Sequence, residues 1–147
     1  MVDSGVVIDL AHVSPRAIED ILAMVSVPVV VSHTGVKGIC ESMRNLSDKQ
    51  IKAVAAGGGV IGIGFWTTAT CDITPDGIVK AIRYVSDLVG VEHVALGTDY
   101  DGATKVGFTA DKMALITDAL LRDKYSESDI RLIMGENTLR VLGQILR

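Results

Sequence analysis

The sequence predicts an α/β fold on a parallel sheet, and three observations carry that expectation. Short apolar runs rich in Val and Ile alternate with stretches of helical periodicity. Ser-Pro, Ser-x-x-Gln and Thr-Pro signals open the helical stretches. The links between them are short, as right-handed crossovers between parallel strands require. The expected architecture is a single domain over residues 1–147, a parallel (βα)4 sheet with extra C-terminal helices.

Residues 5–11, "GVVIDLA", are a near-continuous apolar run that suits a strand covered on both faces. Ser14 and Pro15 make an N-cap and first helical position. Ala17, Ile18, Ile21, Leu22 and Val25 follow at helical spacing. Residues 28–32 read as a second buried strand. Ser47 with Gln50 forms a capping box for a helix through Ala56. Residues 60–65 give a third strand. Thr74 and Pro75 start a helix that runs to Val89, and residues 93–97 give a fourth strand. Helices over 110–122, 126–134 and 138–146 complete the chain. The glycines of "AAGGGVIGIG" precede and enter a strand, whereas a dinucleotide-binding fingerprint follows one, so they read as a tight helix-to-strand turn.

The bulk composition narrows the function classes. A net charge of −4, with no Lys/Arg stripe, argues against nucleic-acid binding. A mean hydropathy of +0.39 argues against disorder. No apolar run reaches the length of a membrane span, and no targeting stretch opens the chain. The two cysteines, Cys40 and Cys71, are far apart and form no C-x-x-C, which argues against a disulfide framework. That pattern fits a reducing compartment, and a cytoplasmic location is the expectation, with any signal peptide lying upstream.

In parallel βα proteins, function collects at the C-terminal ends of the strands. Here the strands end in His12, His33, Phe65 with Trp66, and Asp99. A single histidine in such a place is ordinarily a hydrogen-bonded structural residue. Two at equivalent ends of consecutive strands are different, because adjacent strands lie about 4.8 Å apart and both imidazoles can reach one metal ion. Neutral imidazole suits Zn²⁺. Asp99 is placed to add a ligand or a base for water. His93 begins its strand, on the opposite rim, and reads as structural. Arg44 has two readings: a surface residue paired with Asp48, or a guanidinium fork over the strand ends that holds a substrate carboxylate. "DYDG" at 99–102 has the start of a calcium loop but lacks its remaining ligands.

"IDLAHVS", "PVVVSHT", "SMRNLSD", "GGGVIGIGF", "ALGTDYDG" and "GENTLRVL" resemble, in this order, the second half of the membrane dipeptidase (renal dipeptidase) family. This is metallopeptidase family M19, within the amidohydrolase-like barrels. The resemblance implies one half of a TIM-type (β/α)8 barrel. The complete family site holds two zinc ions, whose bridging water attacks the peptide carbonyl of a dipeptide. By position, His12 and His33 match two histidine ligands of the second zinc. Arg44 matches the arginine that contacts the substrate carboxylate, and Asp99 matches the acid beside the metals. Asp101 and Gly102 match the rest of that motif and look structural. Asp9 and Ser32 stand near the ligands as candidates to orient them.

The family's first half is not in this sequence. It contributes an H-x-D motif, a bridging glutamate and a further histidine; no H-x-D occurs here and no glutamate ends a strand. The opening "MVDSG" looks like an interior stretch of the family rather than a start, so a truncated product or fragment is expected. Such a half barrel leaves open sheet edges and an uncovered apolar face, which predicts a homo-oligomer or association with the missing half. The alternatives are a non-catalytic half barrel that folds by association, and a related hydrolysis of a lactone or cyclic amide.

Overall fold

A computed structural model describes residues 5–146. The interior stretch inferred at the start of the chain, residues 1–4, lies outside the described residues. The elements are α1 (Pro15–Met24), β1 (Val30–Thr34), α2 (Asp48–Ala56), β2 (Val60–Ile63), α3 (Thr67–Thr70), α4 (Pro75–Val89), β3 (Val94–Leu96), α5 (Ala114–Arg122), α6 (Glu127–Arg131) and α7 (Asn137–Ile145).

The helix starts follow their sequence signals. Ser14 Oγ accepts from the Ala17 N–H at 3.3 Å. Ser47 and Gln50 close a reciprocal box, each side chain accepting from the other's backbone N–H. Thr74 Oγ1 accepts from Gly77 N–H at 3.2 Å. Gly58 takes φ +76° in the turn from α2 into β2, a region that glycine occupies without penalty.

β1, β2 and β3 form one parallel sheet in that order, with Val30 beside Val60 and Ile61 beside Val94. The predicted strand over residues 5–11 is reduced to an extended segment with a single bridge, Asp9 to Val30. Leu10 N–H donates to Val30 O at 2.8 Å, and Val30 N–H donates to Ile8 O at 2.9 Å. The segment then ends, because Asp9 Oδ1 takes the Ala11 N–H and His12 turns the chain at φ +63°. The described sheet therefore has three strands, flanked by this segment, rather than four.

The C-terminal helices also differ in detail. A 3₁₀ turn, Ala110–Lys112, precedes α5. The predicted helix over 126–134 stops at Arg131, and a π-helical turn, Leu132–Glu136, leads into α7. Gly135 leaves helical geometry inside that turn. α3 was not foreseen, since four residues are too few to show a helical period.

One face of the sheet carries Val31, Ile61, Ile63 and Val94 against Ile51 and Val54 of α2 and Ile78 and Ile82 of α4, all buried. Burying each such side chain contributes roughly 1.5–3 kcal/mol. The expectation of an uncovered apolar second face is corrected. Val60 and Ala95 on that face are buried under Val141 and Ile145 of α7. α7 is tied to the N-terminal rim by the Asn137 amide, which donates to Val91 O and Val94 O, and by Arg140, which donates to Gly58 O and Glu92 O. Towards the other rim the face is backbone: a Cβ at Gly97 would lie 2.5 Å from Ser32 O and 2.8 Å from Gly62 O. His93 is structural as read, its Nδ1 lying 2.8 Å from Gly59 O on the N-terminal rim.

The cysteines overturn another expectation. Cys40 and Cys71 form a disulfide, with Cα atoms 5.3 Å apart. α3 ends at Cys71 in the left-handed region and turns it onto the loop after β1, where Cys40 is buried. A sequence separation of 31 hides that meeting. The argument from cysteine spacing to a reducing compartment therefore loses its basis. Among the described residues no helix is long and apolar enough to cross a membrane.

Two outcomes follow from this packing. Ile61→Ala should cost about 2–5 kcal/mol in chemical denaturation, and a cost under about 1 kcal/mol would contradict a closely packed sheet. The double substitution Cys40→Ser with Cys71→Ser should lower unfolding free energy by about 3–4 kcal/mol in the chain-entropy picture. Free thiols in the denatured, unreduced protein would show that the bond is not formed.

Candidate functional site

Two backbone features bring His12 and His33 together. His33 lies on β1, and His12 lies two residues beyond the segment that pairs with Val30. Their Nε2 atoms are 2.8 Å apart and their rings meet edge to face. The Arg44 guanidinium lies against the His12 ring, its Nη2 2.9 Å from Nδ1 and 3.2 Å from Nε2. Ser32 Oγ is 2.9 Å from His33 Nδ1. Asp9 Oδ1 accepts from the backbone N–H of Ser32 at 3.0 Å and of Ala11 at 2.9 Å.

One direction of donation satisfies every group in the row. A guanidinium only donates, so His12 Nδ1 accepts from Arg44. His12 Nε2–H then donates to His33 Nε2, and His33 Nδ1–H donates to Ser32 Oγ. The Ser32 hydroxyl is left to donate to Asp9. Burial pushes the Asp9 carboxyl up. The bonds from the Ser32 hydroxyl and from the Ala11 and Ser32 N–H groups outweigh it and hold the pKa below the ordinary Asp value. Asp9 thus ends the row as the anionic acceptor.

These side chains open into a cavity of about 380 Å³ whose walls include Leu10, His12, His33, Met43, Arg44 and Trp66. Trp66 is 7% exposed, and its ring centroid lies 5.9 Å from that of His33. Arg44 is exposed, lines this cavity beside His12 and makes no pair with Asp48. Asp48 instead accepts from the Tyr84 hydroxyl at 2.7 Å.

Asp99 is set apart from this group. It follows β3 in a left-handed turn at φ +54° and does not line the cavity. Its carbonyl accepts from Gly102 N–H and Thr104 Oγ1, and its carboxylate lies over Gly102, where a Cβ would sit 2.2 Å from Oδ1. Asp101 is exposed. Among the described residues no three His, Cys, Asp or Glu side chains gather closely enough to hold a metal ion. Trp66, which the sequence marks only as a strand end, and Asn45 join the residues of the site. A strand-end position was the only signal for Trp66, and adjacency to Arg44 the only one for Asn45.

The sequence profile of "Membrane dipeptidase (Peptidase family M19)" matches residues 1–147. The chain belongs to the membrane dipeptidase family. Dipeptidase verJ of Clonostachys rogersoniana is 31% identical over 146 residues, covering 96% of this chain and 38% of verJ. A metallopeptidase from Rhodobacter sphaeroides, solved with a phosphinate mimic of the dipeptide L-Ala-D-Ala, superposes with a TM-score of 0.83 at 25% identity, covering 93% of this chain and 42% of that one. The probable dipeptidase PvdM from Pseudomonas aeruginosa shares the fold, with a TM-score of 0.90 at 22% identity over 97% of this chain and 51% of its own. The chain spans about half, or less, of the length of these three proteins.

The cavity wall can be probed without any ligand. A Cβ at Gly64 would lie 2.2 Å from the Trp66 ring. Gly64→Ala should therefore expel Trp66, the single tryptophan, from its seat. A red-shifted emission and a loss of about 1–3 kcal/mol are expected. Unchanged emission would contradict this packing.

Proposed function

We propose that this chain carries one part of a zinc-dependent dipeptidase site, in which His12 and His33 hold a metal ion and Arg44 binds the free carboxylate of a dipeptide. The observation that carries this reading is the 2.8 Å approach of the two Nε2 atoms beside an exposed guanidinium. Membership of the M19 family supports it.

The donor set fits zinc in part. Two imidazoles are suitable ligands, and the remaining ligands of the two-ion family site must come from outside this pair. In the row as it stands the His33 Nε2 lone pair accepts from His12 Nε2–H, so a metal ion held by both Nε2 atoms would take the place of that proton, while His33 Nδ1–H stays on Ser32 Oγ. Ser32 and Asp9 orient the ring from behind, which is how ligand geometry and basicity are held in metal sites. Zinc supplies Lewis-acid chemistry there, polarising a carbonyl and acidifying water. Arg44 offers a planar fork to a carboxylate, so a substrate ending close to the scissile bond is favoured over a long peptide. Leu10 and Trp66 wall the cavity with apolar surface and limit water. We assign the proton-handling role to Asp99, whose carboxylate must then leave Gly102 and turn across the rim.

We also propose that the 147 residues form one domain equivalent to the C-terminal half of a (β/α)8 barrel. It completes the site with a second copy or with the other half. The absence of a three-ligand cluster among the described residues favours, as the second reading, a non-catalytic half barrel that binds zinc weakly.

Calorimetric zinc titration tests the metal site. His12→Ala and His33→Ala should each abolish measurable binding, and Asp9→Ala should weaken it about 10–100-fold. Equal affinity in all four proteins would rule out the histidine pair as the metal site. Zinc-supplemented hydrolysis of a dipeptide panel that includes L-Ala-D-Ala, with His12→Ala as control, separates the enzyme from the non-catalytic reading.

A further inference from the structure

We propose that Asn45 is the positioning residue that holds Arg44 at the cavity, and so determines how strongly the site prefers a free carboxylate. The preference itself rests on the dipeptidase reading above; the positioning does not.

Arg44 is exposed and weakly tethered through its own backbone. Its N–H lies 3.4 Å from Ser42 Oγ, and its carbonyl lies 3.4 Å from Thr34 Oγ1. The preceding Met43 is 88% exposed. Nothing in those contacts fixes a long, rotatable side chain. The next residue does the opposite. Asn45 is 3% exposed, and its Nδ2 lies 2.7 Å from Cys40 O, 3.0 Å from Thr68 O and 3.1 Å from Ala69 O. One amide group therefore bonds the loop that carries Arg44 to α3, the helix that follows Trp66.

The joint has no slack. A Cβ at Gly35 would lie 2.2 Å from Ala69 O and 2.5 Å from Asn45 Oδ1, so loop and helix meet at backbone distance. Leu46 N–H donates to Gly35 O and Lys37 N–H donates to Leu46 O, closing the base of the loop just beyond Asn45. The Cys40–Cys71 bond joins the same two segments. A buried amide shared among three carbonyls can be replaced by no apolar side chain without leaving acceptors unpaired. Removing it frees the Arg44 end of the loop, while His12 and His33, on other elements, stay in place.

The test compares wild type, Asn45→Ala, Asn45→Ser and Arg44→Ala, each checked for fold by circular dichroism. Asn45→Ser keeps one donor and serves if Asn45→Ala fails to fold. The first readout is the His12 ring resonances in a ¹H–¹³C spectrum of the ligand-free chain. They should move in the Asn45 variants towards their Arg44→Ala positions. The second is binding of L-Ala-D-Ala and of its C-terminal amide, followed by Trp66 fluorescence. Wild type should prefer the acid, and Asn45→Ala should lose about tenfold of that preference, as for a lost bond to a charged group, with amide affinity and zinc affinity unchanged. A merely structural role would weaken acid and amide alike. Wild-type His12 resonances and an intact acid preference in a folded Asn45 variant would overturn the proposal. A wild type with no acid preference would overturn the carboxylate reading of Arg44, and the His12 resonances would still decide the positioning role.

Discussion

The backbone pairing of residues 8–10 with Val30 is the constraint from which the site follows. Two hydrogen bonds at that point set the first segment one strand-width from β1. Asp9 then spans the gap, accepting from Ala11 on its own segment and from Ser32 on β1. The Ala11 bond starts the turn in which His12 adopts a left-handed backbone, a conformation that costs of order 1–3 kcal/mol for such a residue. Charge-assisted bonds to Asp9 offset that cost. The same carboxylate accepts the far end of the row running through Ser32 and His33. Strain at one histidine and orientation at the other therefore share a single anchor.

The opposite wall of the cavity has an independent origin. It is built from the loop after β1 and from Trp66, and α3 joins the two. Here the backbone makes few regular bonds, and side chains take over: the Asn45 amide, the Cys40–Cys71 bond and the buried Trp66 ring. The site thus combines a rim set by sheet geometry, with His12 and His33, and a rim set by side-chain clasps, with Arg44. The two rims meet where the Arg44 guanidinium lies against the His12 ring, so changes at one couple to the other through that contact.

Helices cover one face of the three-stranded sheet in full and the other in part. Helices α2 and α4 cover one face. α7 returns to the N-terminal rim and shields the apolar end of the other, leaving the functional rim at the far end. The bonds of Asn137 and Arg140 to strand-end carbonyls occupy groups that the sheet leaves unpaired there. Solved structures that share this fold are about twice as long or longer, so this unit accounts for about half of each or less.

The amino-acid sequence by itself determined the α/β class, the starts of α1, α2 and α4, the three paired strands and the family. All of these reside in local patterns: caps, apolar periodicity, and motifs with fixed spacing. It also marked His12, His33 and Arg44 as residues to watch. Tertiary structure decided the rest. It shortened the first strand, because Asp9 and the left-handed His12 end the pairing early. It joined Cys40 to Cys71 and made Asn45 a clasp, since both depend on α3, which is too short to announce itself. It placed α7 over the second face. It kept Asp99 over Gly102, outside the cavity that His12, His33 and Arg44 line. Each of these outcomes depends on contacts between segments far apart in sequence, and local pattern carries no record of such contacts.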